Sequence, residues 1–127
     1  MAHDVHHEHL IKEVEDLFKP LLSKSPQAIY IYLDDQHKIC NNKFADMLGY
    51  ESIKEWVDYE FPVEDLDQKD QEKGIKAYMN ASRKLQAGSL DGTWVTKKGK
   101  KIKTNVILAP FTYKNEVFVL HFITLKK

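Results

Sequence analysis

The stretch Cys40-Asn41-Asn42-Lys43-Phe44-Ala45-Asp46-Met47-Leu48-Gly49-Tyr50-Glu51-Ser52 decides how this chain folds. A β-prone segment, Lys38 to Cys40, runs into two asparagines, residue types that cap a helix start. Phe44 and Leu48 lie four apart on one helix face, flanked by Ala45 and Met47. Gly49 supplies the positive φ that stops the helix. Ser52 opens the next one, with Glu55 completing a capping box. Strand, helix, stop and new helix thus follow one another within a few turns of chain.

Upstream, Ala28 to Leu33 is apolar on both alternating faces, Ile29, Ile31 and Leu33 against Ala28, Tyr30 and Tyr32, the mark of a central strand. Asp34-Asp35-Gln36-His37 turns it back onto Lys38 to Cys40 as a hairpin, with His37 read as a turn residue. Ser25-Pro26 separates this strand from an amphipathic helix running from Asp4 to about Lys19, where Pro20 disfavours continuation. Leu10, Val14, Leu17 and Leu21 form its stripe, widened by Ile11, Phe18 and Leu22. Such a stripe needs covering, by the chain's own sheet or by a second copy. His3, His6, His7 and His9 open the sequence at spacings that suit a metal. With no carboxylate or cysteine cluster visible beside them, no metal site is assigned.

Downstream, Ile53 to Val57 forms a short helix bearing Trp56. Phe61-Pro62-Val63-Glu64-Asp65-Leu66 leads into a long helix, about Asp67 to Ala87, with Gly88 as its stop. Only its second half carries apolar residues, among them Ile75, Tyr78 and Met79, so only that half is expected on the sheet. Leu90 to Thr96 is a strand holding Trp94, and Lys97-Lys98-Gly99-Lys100 a hairpin turn. Ile102 to Ala109 is a second strand, ended by Pro110, and Tyr113-Lys114-Asn115-Glu116 turns the chain into a central strand, Val117 to Leu125. The order is α+β.

This order resembles the PAS sensory domain from Ser25 to Lys127. The family's Asn-x-x-Phe-x-x-x-x-Gly-Tyr-Ser/Thr run is matched, slightly offset, by Asn41, Phe44, Gly49 and Tyr50. Phe61 to Leu66 looks like a shifted version of its His-Pro-Glu/Asp-Asp element. Phe122-Ile123-Thr124 stands where the family commonly has Asp-Ile-Thr. The resemblance implies a five-stranded antiparallel sheet in the order 2-1-5-4-3, helices over one face and a ligand cavity beneath them. It divides the chain into an N-terminal amphipathic helix with linker, residues 1–24, and a PAS domain, residues 25–127.

The 127 residues suffice for one domain with a buried core. Lys and Arg number 19 and Asp and Glu 19, so no global field draws the chain to nucleic acid or membrane, and neither is expected as a partner. Charge is nonetheless uneven: acids crowd Glu51 to Glu72, and Lys97, Lys98, Lys100, Lys101 and Lys103 cluster. A single cysteine excludes an internal disulfide and suits a reducing, cytoplasmic setting. No membrane span or signal-peptide core is legible.

Cofactor chemistry is not expected. A flavin photosensor of the PAS type carries Asn-Cys-Arg-Phe-Leu on the helix before the long one, whereas Cys40 lies in a strand. The long helix has no histidine for haem, and no cysteine near Phe61 offers a covalent chromophore site. Taken with strand alternation, the resemblance implies a small apolar pocket lined by Phe44, Trp56, Tyr78, Met79, Trp94, Thr104, Val106, Leu108, Phe118 and Leu120. The opposite face, with Ile107, Val119 and His121, joins Leu10, Val14, Leu17 and Phe18 as the expected homodimer surface. The reading is therefore a non-enzymatic sensory or regulatory module, excised or free-standing, that senses a small apolar ligand or mediates dimerisation and passes a signal to a partner copy or effector domain. The rivals are a ligand-free interaction domain and a small-molecule enzyme on a related α+β cup. The lack of a paired acid-base constellation speaks against the enzyme.

Overall fold

Asn41 fixes the junction between sheet and helices. Its Oδ1 accepts from the backbone N–H of Phe44, capping α2 (Asn42–Leu48), and from that of Ile29, while its Nδ2 donates to the carbonyl of Gln27. One buried amide therefore ties the first strand to the first turn of the helix. Gly49, at φ 82°, ends α2 in the left-handed region. Ser52 caps α3 (Ile53–Asp58) by accepting from the Glu55 N–H.

The computed structural model describes residues 2–126, with side chains described from Val5 onward. His3 therefore lies outside the described side chains. The elements are α1 (Ala2–Lys24), β1 (Ala28–Asp34), β2 (His37–Cys40), α2, α3, a 3-10 turn (Pro62–Asp65), α4 (Gln68–Lys84), β3 (Gly88–Val95), β4 (Lys101–Tyr113) and β5 (Glu116–Leu125). All five strands pair antiparallel in the order β2-β1-β5-β4-β3, the expected order. No described helix is long and apolar enough to cross a membrane.

The sheet carries a core on each face. Beneath α2, α3 and α4 lie Phe44, Leu48, Trp56, Trp94, Val106, Leu108, Val119 and Ile123. On the other face α1 lays Leu10, Ile11 and Val14 onto Ile29, Ile31, Leu33, Ile39, Phe118 and Leu120. Leu10 and Val14, expected at a dimer surface, are thus covered by the chain's own sheet, with 2% and 0% of their surface exposed. Burying each such aliphatic side chain is worth about 1.5–3 kcal/mol, enough to seat the helix without a second copy.

Three boundaries differ from expectation. First, α1 runs past Pro20 to Lys24, because a proline removes one hydrogen bond without removing the apolar anchoring of the helix. Second, β4 continues through Pro110 to Tyr113. Its pairing with β3 ends at Gly88↔Leu108, so beyond Leu108 its outer edge is free and a missing N–H costs nothing there. Third, α4 stops at Lys84, three residues early, where Leu85 takes a left-handed conformation as its C-cap, φ 52°, and Gly88 already begins β3.

The phase of β5 is the main correction. Lys114 and Asn115 both have positive φ, 49° and 70°, and form a two-residue turn of the primed type that suits hairpin twist. That turn pairs Tyr113 with Glu116 and, counting back, Leu108 with His121. Paired residues share a face, so His121, Val119 and Ile123 point under α2–α4, while Phe118, Leu120 and Phe122 point to α1. Phe118 and Leu120 therefore do not line a pocket. Val119 and His121 do not lie on an outer surface.

Candidate functional site

Between α4 and the sheet lies a cavity of about 330 Å³. Its floor is Tyr30 and Tyr32 of β1, Trp94 of β3, Val106 and Leu108 of β4, and His121 of β5; Trp56, Pro62, Val63, Leu66, Gly74, Ile75, Tyr78 and Met79 make its walls and rim. Asp67 and Asp70 hold the α4 side in place. Asp70 Oδ2 accepts the Thr93 N–H (2.7 Å), the Asp67 N–H donates to the Thr93 carbonyl (2.8 Å), and Leu66 bridges to Trp94. The start of the long helix is thus tied to β3, while its apolar half spans the cavity.

Of the expected pocket residues, Trp56, Tyr78, Met79, Trp94, Val106 and Leu108 line this hollow. Phe44 and Thr104 stand one layer behind. Phe44 is wholly buried, 4.8 Å from the Tyr30 ring, 5.1 Å from that of Trp56 and 5.6 Å from that of Trp94, so it supports the aromatic wall. Thr104 Oγ1 accepts from the Trp94 indole N–H (2.9 Å), and the hydroxyl donates to the Gly92 carbonyl (2.8 Å). That pair fixes the indole plane. Trp94 therefore takes up part of the space beneath α4 without filling it.

Of the polar groups at or beside the cavity, Tyr78 was expected there, His121 was expected on the opposite face, and Asp65 and Tyr32 were not singled out. His121 stacks on Tyr30 at 3.9 Å and 11°, with Nδ1 3.1 Å from the Val119 carbonyl. Burial pushes it down to about 3, so it is a neutral ring facing the hollow. Asp65 accepts from Tyr50 O–H (2.8 Å) and from the Trp56 indole N–H (3.2 Å). Burial pushes its carboxyl up to about 6 even though both hydrogen bonds favour the charged form. Tyr78 O–H donates to the Leu33 carbonyl (3.3 Å), and Tyr32 O–H to the Asp35 carboxylate at the mouth.

Lys38, with 1% of its surface exposed, gave no signal as a buried residue. Its Nζ donates to the carbonyls of Asp35 (2.6 Å), Val57 (2.9 Å) and Tyr59 (2.6 Å) and lies 5.1 Å from the centre of the Trp56 ring. All three ammonium protons are used, so this is a clamp between β2 and α3 and not a nucleophile. Cys40 is equally inert, its thiol pushed up to about 12 by burial.

Away from the cavity, folding gathers His7, Asp34, His37 and Glu116. His7 Nδ1 is 2.7 Å from Asp34 Oδ2, His7 Nε2 is 2.7 Å from Glu116 Oε1, and His37 Nδ1 is 2.7 Å from Asp34 Oδ1. The sequence reading assigned no metal site because no carboxylate adjoined the histidines, and took His37 for a turn residue. Contacts across 27 and 109 positions bring Asp34 and Glu116 to His7, and His37, the first residue of β2, meets the same Asp34 across three positions.

Among the expected interface residues, Leu17 and Ile107 are exposed, at 61% and 44%, while Phe18 is half-buried against Phe111 at 5.2 Å.

No protein-family model matches the chain, and no curated protein does. Solved structures do. A PAS domain from Colwellia psychrerythraea superposes with a TM-score of 0.70 at 16% identity, covering 89% of this chain and 97% of that one. A PAS domain from a two-component sensor histidine kinase gives 0.68 at 16%, covering 91% and 99%. The PAS domain of an HTR-like protein from Haloarcula marismortui gives 0.64 at 19%, covering 95% and 98%. The chain has a PAS-type fold.

Proposed function

We propose that this chain is the sensory module of a signalling protein and that it binds a small, mainly apolar molecule in the cavity under α4. The hollow of about 330 Å³ carries this reading. It sits at the small end of the ~300–1,000 Å³ typical of ligand pockets, and well above the ~150 Å³ that suffices to admit benzene. Its aromatic walls suit a flat ring. His121 and the tyrosines offer such a ligand one or two hydrogen bonds against an otherwise apolar lining.

Similarity to the PAS domain of a sensor histidine kinase supports a signalling role, with residues 25–127 as the sensing unit and residues 1–24 as the transmitting helix. A ligand under the apolar half of α4 alters the packing of that helix on the sheet, and α1, seated on the opposite face of the same strands, passes the change to a partner copy or effector domain. The lone, buried Cys40 supports a cytoplasmic setting. Binding rather than turnover is favoured by the apolar lining, whose carboxylate is Asp35 at the mouth. The test is a titration of the protein with indole and related small heterocycles, followed by backbone NMR. Saturable shifts confined to residues such as Gly74, Met79, Trp94 and His121 are expected. Shifts absent at ligand saturation, or scattered over the α1 face, overturn the reading.

A dimerisation role is favoured by the exposure of Leu17 and Leu21 on α1 and of Ile107 on β4. Light scattering of the chain and of Leu17→Glu decides it. A dimer mass that falls to the monomer value in the variant supports this role, and a monomer in both excludes it.

A further inference from the structure

We propose that His7, Asp34 and His37 form a binding site for a divalent transition metal, zinc foremost, which staples α1 to the β1–β2 hairpin. One donor atom from each of these three residues lies within 4.8 Å of the others, and the two imidazole rings stand at 90° with centres 5.7 Å apart. Two borderline nitrogen donors and one carboxylate are a donor set that zinc accepts in tetrahedral geometry, with water in the fourth position. Tetrahedral zinc with bonds near 2.1 Å holds its donors about 3.4 Å apart, so a pair now within 4.8 Å must close by up to about 1.4 Å.

The hydrogen-bond pattern supplies the second argument. Carboxylates only accept, so the nitrogens that meet them here carry protons: Nδ1 of His37 and both nitrogens of His7. The Nδ1 protons of both histidines converge on the two oxygens of Asp34. A zinc ion entering there takes both Nδ1 lone pairs: His7, protonated on both nitrogens, gives its Nδ1 proton to solvent, and His37 carries its N–H on Nε2 in place of Nδ1. Nε2–H of His7 goes on donating to Glu116 Oε1, the carboxylate–histidine–metal arrangement that holds a ligating ring in the correct tautomer and orientation. The charges of Asp34 and Glu116 then balance the ion. His7 is buried and the His37 side chain has 11% of its surface exposed, so little chain entropy is left to lose on binding.

The site spans α1, β1, β2 and, through Glu116, β5. Zinc would therefore govern how firmly the proposed transmitting helix sits on the sheet.

The experiment is competition between the metal-free protein and a chromophoric chelator for zinc chloride, with thermal unfolding in parallel. The parent is expected to take up one zinc per chain and to melt at a higher temperature with it. Loss of the ligand, in His37→Gln or Asp34→Asn, should weaken zinc by more than about 100-fold, and loss of the orienting group, in Glu116→Gln, by about 10–100-fold. The double variant His6→Gln/His9→Gln keeps its affinity, which separates this site from adventitious binding to the histidine-rich terminus. Zinc-free melting of each variant establishes that it is folded. Binding that survives His37→Gln, that is lost in the His6→Gln/His9→Gln variant, or that brings no rise in melting temperature in the parent overturns the proposal.

Discussion

The two faces of the sheet are built on opposite plans. Under α1, aliphatic and phenylalanine side chains close on one another, and the buried His7 is held by carboxylates from β1 and β5. Under α4, the five rings of Tyr30, Tyr32, Trp56, Tyr78 and Trp94 and a neutral histidine line a hollow of about 330 Å³, with the raised carboxyl of Asp65 bound to the Trp56 indole N–H. The same five strands supply both, so the difference lies in which side chains the pleat sends each way. Close packing transmits displacement because it has no slack. A hollow with polar groups at its edge has room for a ligand and gives it an orientation. The comparison separates a face that reports from a face that receives.

Truncating one large ring on each face is the harshest test. Trp94→Ala and Phe118→Ala should each lose about 3–5 kcal/mol, since Trp94 is 3% and Phe118 0% exposed and neither site can fully collapse. The faces should then part. The Trp94 hole joins an existing cavity, so indole should restore part of the lost stability. The Phe118 hole is sealed beneath α1 and should not respond. Thermal unfolding of both variants with and without indole is the measurement. Equal rescue, or none in either, would erase the distinction.

Titration gives the next effect in size. The Asp65 carboxyl is pushed up to about 6 from an ordinary 3.8, so the folded chain holds that proton more tightly than the unfolded chain does. Its contribution to stability is full below about pH 4 and lost as pH rises to about 6, a span of about 3 kcal/mol at most. His121, pushed down to about 3, acts in the opposite sense: its contribution is full above pH 6.5 and lost as pH falls toward about 3. In the parent the two slopes oppose each other between pH 4 and 6. Asp65→Asn should leave stability rising with pH across that window relative to the parent, and His121→Gln should leave it falling. Urea unfolding at half-unit pH steps resolves this. A curve for Asp65→Asn parallel to the parent's would mean that Asp65 is not held as described.

The sequence carried the element order and the α4-side floor more completely than it carried β5. Asn41, Gly49 and Ser52 speak for themselves because caps and left-handed stops are local chemistry. Val117 to Leu125 is apolar on both faces, so alternation alone gives it no phase. The phase was available from the turn: with Lys114 and Asn115 as its central pair, Leu108 must meet His121. Reading each strand separately put Phe118, Leu120, Val119 and His121 on the wrong sides. Pro110 and Pro20 were over-read as stops, because a proline at a free sheet edge or on an anchored helix removes one donor and little else. The burial of Lys38 left no trace that one sequence reveals, and the histidine spacing around His7 did not point to Asp34, His37 or Glu116. Their partners come from separate elements, and only the folded topology brings them together.

The smallest expected effect is the most discriminating. Gly74 lies in α4 against the cavity, and a Cβ there would come 2.7 Å from Leu66 Cδ1, the free end of a flexible side chain. Gly74→Ala gains up to about 1 kcal/mol of helix propensity and loses a similar amount as Leu66 turns aside, so its stability should stay within about 1 kcal/mol of the parent. On the other face, Val14→Ile adds a similar bulk where nothing can yield, since Val14 is wholly buried, and should cost about 1–3 kcal/mol. Binding should reverse this order. The displaced Leu66 has the cavity beside it, so Gly74→Ala should weaken indole several-fold, while Val14→Ile leaves indole affinity unchanged. Unfolding midpoints and indole titrations on the two variants make the comparison directly. If Gly74→Ala is destabilised while its indole affinity holds, the space under α4 is ordinary packing and not a receiving site.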